Sequence, residues 1–137
     1  MTHEHETRHL PLPDAETSAY WEAAGERRLV FRRCRSCQTA YHYPRARCRA
    51  CRSGDVEWET ASGSGTVHSF TVVRQNHARP FRDRLPYVVA LIDLDEGPRL
   101  MTNIETDAPD ELHIGQRVRV AFRDEGELSL PVVVPED

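Results

Sequence analysis

The chain contains no lysine: all eighteen of its basic residues are arginine. It has no apolar run approaching the ~20 residues that cross a bilayer. Its amino terminus, MTHEHETRHLPLPDAE, lacks the basic-then-apolar order of a secretory leader. These absences point to the cytoplasm, where thiols stay reduced and paired cysteines more often hold metal than each other. Gly-x-Ser-x-Gly, a Walker phosphate loop and His-Glu-x-x-His are also missing, which removes the most legible routes to hydrolase, nucleotide-driven or zinc-protease chemistry. The SGSG of 62–65 has neither the lysine nor the helix of a phosphate loop and reads as a turn.

What is present suits one domain, or one domain with a small appendage, in 137 residues. Charge is unevenly placed. Residues 1–52 carry ten arginines against six acids and residues 53–137 eight against sixteen, so a net charge of −4 divides into +4 and −8. An uneven but solvated surface explains this, and so does a basic patch near the cysteines facing an anionic ligand or partner.

Residues 1–13 end in LPLP and predict an extended arm. DAETSAYWEAAGERR predicts a helix over 14–28, capped by Asp14 and stopped at Gly25, with Ala15, Ala19, Tyr20, Ala23 and Ala24 on its apolar face. RLVFRR is a short strand running into the cysteines. TVHSFTVVRQ (66–75) is rich in β-branched residues. YVVALIDLD (87–95) is apolar enough to predict a strand covered on both faces. RVRVAFR alternates, with Val118, Val120 and Phe122 inward and Arg117, Arg119 and Arg123 outward. Pro131 in ELSLPVVVPE marks an edge or a bulge. Some five short strands of this kind predict a small antiparallel barrel.

All four cysteines fall in CRSCQTAYHYPRARCRAC, residues 34–51. Cys34 and Cys37 form one Cys-x-x-Cys knuckle and Cys48 and Cys51 a second, ten residues on. That spacer suffices for a hairpin bringing four thiolates to the corners of a tetrahedron, the geometry of structural zinc. A closed set of four leaves no open position for catalysis. The rivals are a redox dithiol, two disulfides, or iron in a rubredoxin-like arrangement. No helix start of the redox type surrounds either pair. His42, inside the hairpin, reads as a surface histidine, and Leu29, Phe31 and Tyr43 as the hairpin's apolar burial. Zinc contributes ~10–16 kcal/mol of apparent free energy to small peptide sites, more than such a hairpin gains by burial.

YWEAAGERRLVFRRCRSC, PRARCRAC, SGSGTVHSFTVV and LPYVVALIDLDEGPRLMTNI together resemble one known family, the acyl-CoA-associated proteins of domain of unknown function 35. The resemblance covers residues ~14–134 in the order helix, ribbon, barrel. It implies a mainly β fold: an N-terminal helix (14–28), a rubredoxin-like zinc ribbon (29–55) and a C-terminal OB-fold antiparallel barrel (56–137). It implies structural zinc on Cys34, Cys37, Cys48 and Cys51. It also implies no catalytic residues, because members pair with thiolase-fold proteins: thiolases, hydroxymethylglutaryl-CoA synthase and lipid-transfer-like thiolases, some of them retro-aldolases cleaving steroid side chains. The small protein then stabilises its partner, shapes the substrate channel or helps hold acyl-CoA. Thiolase-fold proteins are dimers, so a two-plus-two heterotetramer is expected.

Three places suit contact with acyl-CoA or partner. The loop RQNHARPFRDRLP sets Arg74, His77, Arg79, Arg82 and Arg84 around Phe81, where guanidinium forks suit CoA phosphates and the ring an adenine. Tyr20 and Trp21 on the helix are candidate anchors for a protein, set against the alternative that they pack on the ribbon or barrel. Arg45, Arg47, Arg49 and Arg52 on the ribbon form a second basic patch. The competing reading is a single-stranded nucleic-acid binder, since OB folds beside arginine-rich ribbons serve that role. The acidic barrel half and net charge argue against it, as do Phe70, Tyr87 and Phe122, which lie on core strands rather than stacking platforms.

Overall fold

A computed structural model describes residues 9–136. Residues 1–8 of the arm expected over 1–13, and residue 137, lie outside the described residues. Residues 9–13 have no regular structure. Leu10 reaches Gly126 closely enough that a Cβ there would sit 2.8 Å from its Cδ1.

The helix α1 is Ser18–Gly25, shorter than the 14–28 expected. Asp14 caps the turn ahead of it: its Oδ1 accepts from the Glu16 and Thr17 N–H groups at 2.9 and 3.0 Å. Gly25 ends the helix, but the left-handed residue beyond it is Arg27 (φ 64°). Arg27 tolerates that conformation while its guanidinium clasps Asp124 (2.8 Å) and Ser129 (2.9 Å) on the far barrel hairpin. Tyr20, Ala23 and Ala24 are buried as expected of the apolar face, whereas Ala15 and Ala19 are exposed.

Strand β1 (Val30–Cys34) lies between β2 (Ala40–Tyr41) and β3 (Val56–Thr60), antiparallel to both. β3 thus joins the ribbon's sheet, a few residues past the division expected at 55/56. The rest closes a barrel in the order β4 (Ser64–Val73), β5 (Tyr87–Leu94), β6 (Arg99–Ile104), β8 (Leu128–Pro135), β7 (Arg117–Glu125). One feature departs from an all-antiparallel barrel: β6 and β8 run parallel, bridged at Ile104↔Val133. Strand directions cannot alternate all the way round a closed ring of five, so at least one neighbouring pair has to be parallel. Pro131 sits where that pairing provides no ladder, and its carbonyl instead accepts from the Thr102 hydroxyl at 2.6 Å.

Alternation governs the barrel. On β5, Val88, Ala90, Ile92 and Leu94 are buried while Tyr87, Val89, Leu91 and Asp93 are only half-buried, so the strand has one core face rather than two. On β7 Val118 is buried, and Val120 and Phe122 pack against the core. Gly65 on β4 pairs with Leu94 on β5 and with Val118 on β7. A Cβ there would stand 2.8 Å from the Asp93 carbonyl, so only glycine permits this approach. Among the described residues no helix is long and apolar enough to cross a membrane.

Leu29, Val30 and Phe31 belong to the same buried cluster as the barrel core, together with Tyr20 and Ala23 of α1. The ribbon tip has its own small cluster of Cys34, Cys48 and Tyr41, with Val56 against it. The expectation for Tyr43 is therefore corrected: Tyr41 is the buried tyrosine, on β2 opposite Arg32, and Tyr43 stands 57% exposed beyond the strand end.

Candidate metal centre and adjoining grooves

The two Cys-x-x-Cys turns meet face to face. Cys34 Sγ lies 3.6 Å from Cys51 Sγ, and Cys37 Sγ lies 3.6 Å from Cys48 Sγ. All four sulfurs fall within 4.8 Å of one another. Four ligands at the usual Zn–S length of ~2.3 Å form a tetrahedron with edges of ~3.8 Å, which the two 3.6 Å edges approach, so the donor set fits zinc. At 3.6 Å no sulfur pair is a disulfide, for which ~2.05 Å is needed. Neither knuckle opens a helix, as a redox dithiol would.

The surroundings favour the thiolate at Cys34 and Cys37, whereas at Cys51 the Ser53 N–H is outweighed by the neighbouring thiols and burial, which push the group up to about 12. Backbone N–H groups of Cys37 and Ser36 hold the Cys34 thiol below its ordinary range, the former more strongly. Cys37 is brought down to about 6, first by the Thr39 hydroxyl 3.1 Å away and then by the Thr39 N–H. The Ala50 N–H points at Cys48 Sγ at 3.3 Å. Cys34 and Cys48 are buried, and Cys37 and Cys51 face outward. Such a site holds a metal and offers it no substrate.

His42 is not a surface histidine. It is buried, and its Nε2 lies 2.8 Å from the Tyr20 hydroxyl. Burial brings it down to about 4, which keeps the ring neutral. Burial also raises Tyr20, so its phenol stays protonated. This contact ties α1 to the ribbon, and the Tyr20 ring also meets Trp21 edge-on at 5.0 Å.

Two grooves flank the junction. The larger, about 790 Å³, runs along the outer face of β5 and β6 beside the 74–86 loop. Of the loop candidates it takes in Phe81 and Arg84, and Phe81 packs 6.0 Å from the Tyr87 ring. Arg84 reaches the buried Glu125 at 3.2 Å. Burial pushes Glu125 upward, but Arg84 and Arg123 outweigh it and hold the carboxyl below its usual range. Arg74, His77, Arg79 and Arg82 are exposed and line neither groove; Arg74 is ion-paired with Asp110 at 2.6 Å. The smaller groove, about 390 Å³, lies between residues 11–12, α1, residues 42–45 and the barrel. Tyr20 and Trp21 line it. Met101, Thr102, Asn103 and Arg123 line both grooves. Sequence reasoning missed Met101, Tyr43 and Leu12 there. The alternation of LMTNI, with Leu100 and Ile104 buried, does carry the signal that Met101 points outward.

Residues 21–57 match the family described as ChsH2, rubredoxin-like zinc ribbon domain, and residues 58–123 that described as ChsH2, C-terminal OB-fold domain. The chain is 35% identical over 117 residues to a DUF35 domain-containing scaffold protein of Methanothermobacter thermautotrophicus, covering 82% of this chain and 87% of the relative. This chain belongs to the DUF35 family. A solved structure described as "Ltp2-ChsH2(DUF35) aldolase" matches at TM-score 0.80 and 38% identity, covering 92% of this DUF35 chain and 98% of that one. A probable enoyl-CoA hydratase alpha subunit of Thermomonospora curvata is 37% identical over 129 residues. This chain spans only 40% of that relative's length. The fold is thus the mainly β one expected, a helix, a zinc ribbon and a barrel of OB type. The four cysteines are its structural zinc site, in which the metal supplies cross-linking and no reaction step.

Proposed function

We propose that this DUF35 chain is a non-catalytic accessory subunit of a thiolase-fold enzyme acting on acyl-CoA, of the lipid-transfer-like aldolase kind. The observation that carries this is the likeness to the Ltp2-ChsH2(DUF35) aldolase chain, at 38% identity over nearly that chain's whole length. Relatives called scaffold proteins support the same reading. So does the chemistry of the cysteines: with four thiolates on zinc, none is left as a nucleophile.

In this reading the chain stabilises its partner in a two-plus-two heterotetramer and helps shape the acyl-CoA site. The larger groove suits an acyl-CoA end: Phe81 and Tyr87 offer apolar rings at one side, and Arg84 and Arg123, both paired with Glu125, border it. Arg74, His77, Arg79 and Arg82 would meet the partner or phosphates from the adjoining loop. Phe70 and Phe122 pack against the core, which weighs against a base-stacking surface and a nucleic-acid role.

The test is a tagged pull-down from the native host, washed at high salt with nuclease present, every retained protein being identified by mass spectrometry. Stoichiometric recovery of a thiolase-fold polypeptide is expected. Recovery of nucleic acid alone in a nuclease-free control, with no such polypeptide in either, would overturn the proposal.

A further inference from the structure

We propose that the smaller groove is the docking face for the partner protein, and that it receives an apolar segment of that partner flanked by acidic residues. This rests on the accessory-subunit reading and adds the surface and the chemistry of what meets it.

Among the described residues four large apolar side chains stand most exposed: Leu12 (89%), Ile114 (67%), Tyr43 (57%) and Met101 (56%). Three of them, Leu12, Tyr43 and Met101, come from segments far apart in sequence and converge on this one groove. Solvent-facing apolar groups scattered singly need no explanation, but a converged set around a concavity is the mark of an interaction surface. Its floor is rigid. Trp21 and the Tyr20–His42 pair lie beneath it, fixed by the 2.8 Å contact between helix and ribbon. A preformed apolar cleft between packed elements loses little entropy on binding.

Charge identifies the occupant. Among the described residues at least nine arginines elsewhere, from Arg27 to Arg123, are ion-paired with the chain's own carboxylates, while Arg32, Arg82 and Arg119 do not line this groove. Among the described residues, Arg45, Arg47, Arg49 and Arg52 are exposed and none is ion-paired. Arg45 lines the groove, and the other three continue the run outward along the ribbon. Glu16 reaches this loop, but its Oε2 accepts the Ala46 N–H at 2.8 Å. The groove therefore opens beside a block of unneutralised positive charge, which steers and holds an acidic segment. A second copy of this chain suits it poorly, because a two-fold contact would bring both copies' sets of four arginines into one interface.

The experiment compares full-length tagged variants in host lysate, scoring the thiolase-fold polypeptide recovered per mole of bait. Circular dichroism and zinc content verify that each variant is folded. Met101→Asp, on the outer face of the barrel, is expected to lower recovery at least tenfold. Arg45→Glu with Arg49→Glu is expected to lower it several-fold and to flatten its salt dependence. Ile114→Asp, more exposed than Met101 but outside the groove, is expected to match the wild type. Wild-type recovery by both groove variants would overturn the docking face while leaving the accessory role standing. A wild-type bait that recovers no thiolase-fold protein would overturn both. A dimer of the isolated chain that Met101→Asp dissociates, with partner recovery unchanged, would overturn it in favour of a second copy.

Discussion

Past Cys34 the ribbon tip has an apolar centre of only Cys34, Cys48 and Tyr41, with Val56 leaning against it. The barrel buries Val67, Val88, Ala90, Ile92, Leu94, Leu100, Ile104, Val118 and Val133, and draws Leu29, Val30, Phe31 and the α1 face into the same cluster. One region is held by four metal–sulfur bonds and the other by side-chain packing, and the change falls inside a single strand, since Phe31 belongs to the barrel core and Cys34 to the metal. The lesson concerns position as much as energy. A metal fixes the loops carrying Arg45 to Arg52 without needing apolar bulk around them. The same loops can therefore be half arginine over residues 45–52 and still be held in place.

The largest effect should come from breaking the metal site. Cys34→Ser, or strong chelation, should remove most of an apparent ~10–16 kcal/mol of metal-linked free energy. Hydrogen exchange should then become fast across residues 35–55 while β4 to β8 stay protected. Loss of protection throughout the barrel would show that the two regions are not separable in this way. Next comes Ile92→Ala, which empties a fully buried site in the barrel. It should cost about 2–5 kcal/mol, read as a lowered denaturant midpoint. Zinc affinity below the transition should match the wild type.

The third test bears on the Tyr20–His42 contact that ties α1 to the ribbon. His42 is brought from 6.5 down to about 4 by burial, so the unfolded chain binds this proton more readily than the folded one. Its contribution is complete above pH 6.5 and is lost as pH falls through that value toward 4. That amounts to about 3 kcal/mol from this group. His42→Gln keeps a polar partner for Tyr20 and does not titrate. The stability difference between wild type and variant should therefore shift by that amount between pH 7 and pH 4, with acid release of zinc common to both.

Several features were legible in the sequence because their signals are local. The cysteine spacing stated the metal site. The alternation of RVRVAFR gave the inward Val118, and the β-branched run at 66–75 gave β4. What escaped is non-local. His42 is buried because Tyr20, twenty-two residues earlier, closes over it. Tyr41 and Tyr43 differ in burial because β2 ends between them. The parallel β6–β8 pair follows from closing an odd number of strands, a count no local window contains. The groove escaped for the same reason: Leu12, Tyr43 and Met101 meet only once the arm, the ribbon and the barrel are assembled.

The accessory role itself is tested most directly by turnover. Purified chain, its thiolase-fold partner and the co-purified complex would each be assayed for consumption of short-chain, aromatic and steroid acyl-CoA substrates. The account predicts no turnover by the chain at any concentration, and more turnover by the complex than by the partner without it. Acyl-CoA consumption by the pure chain, abolished in none of its partner-binding variants, would contradict it.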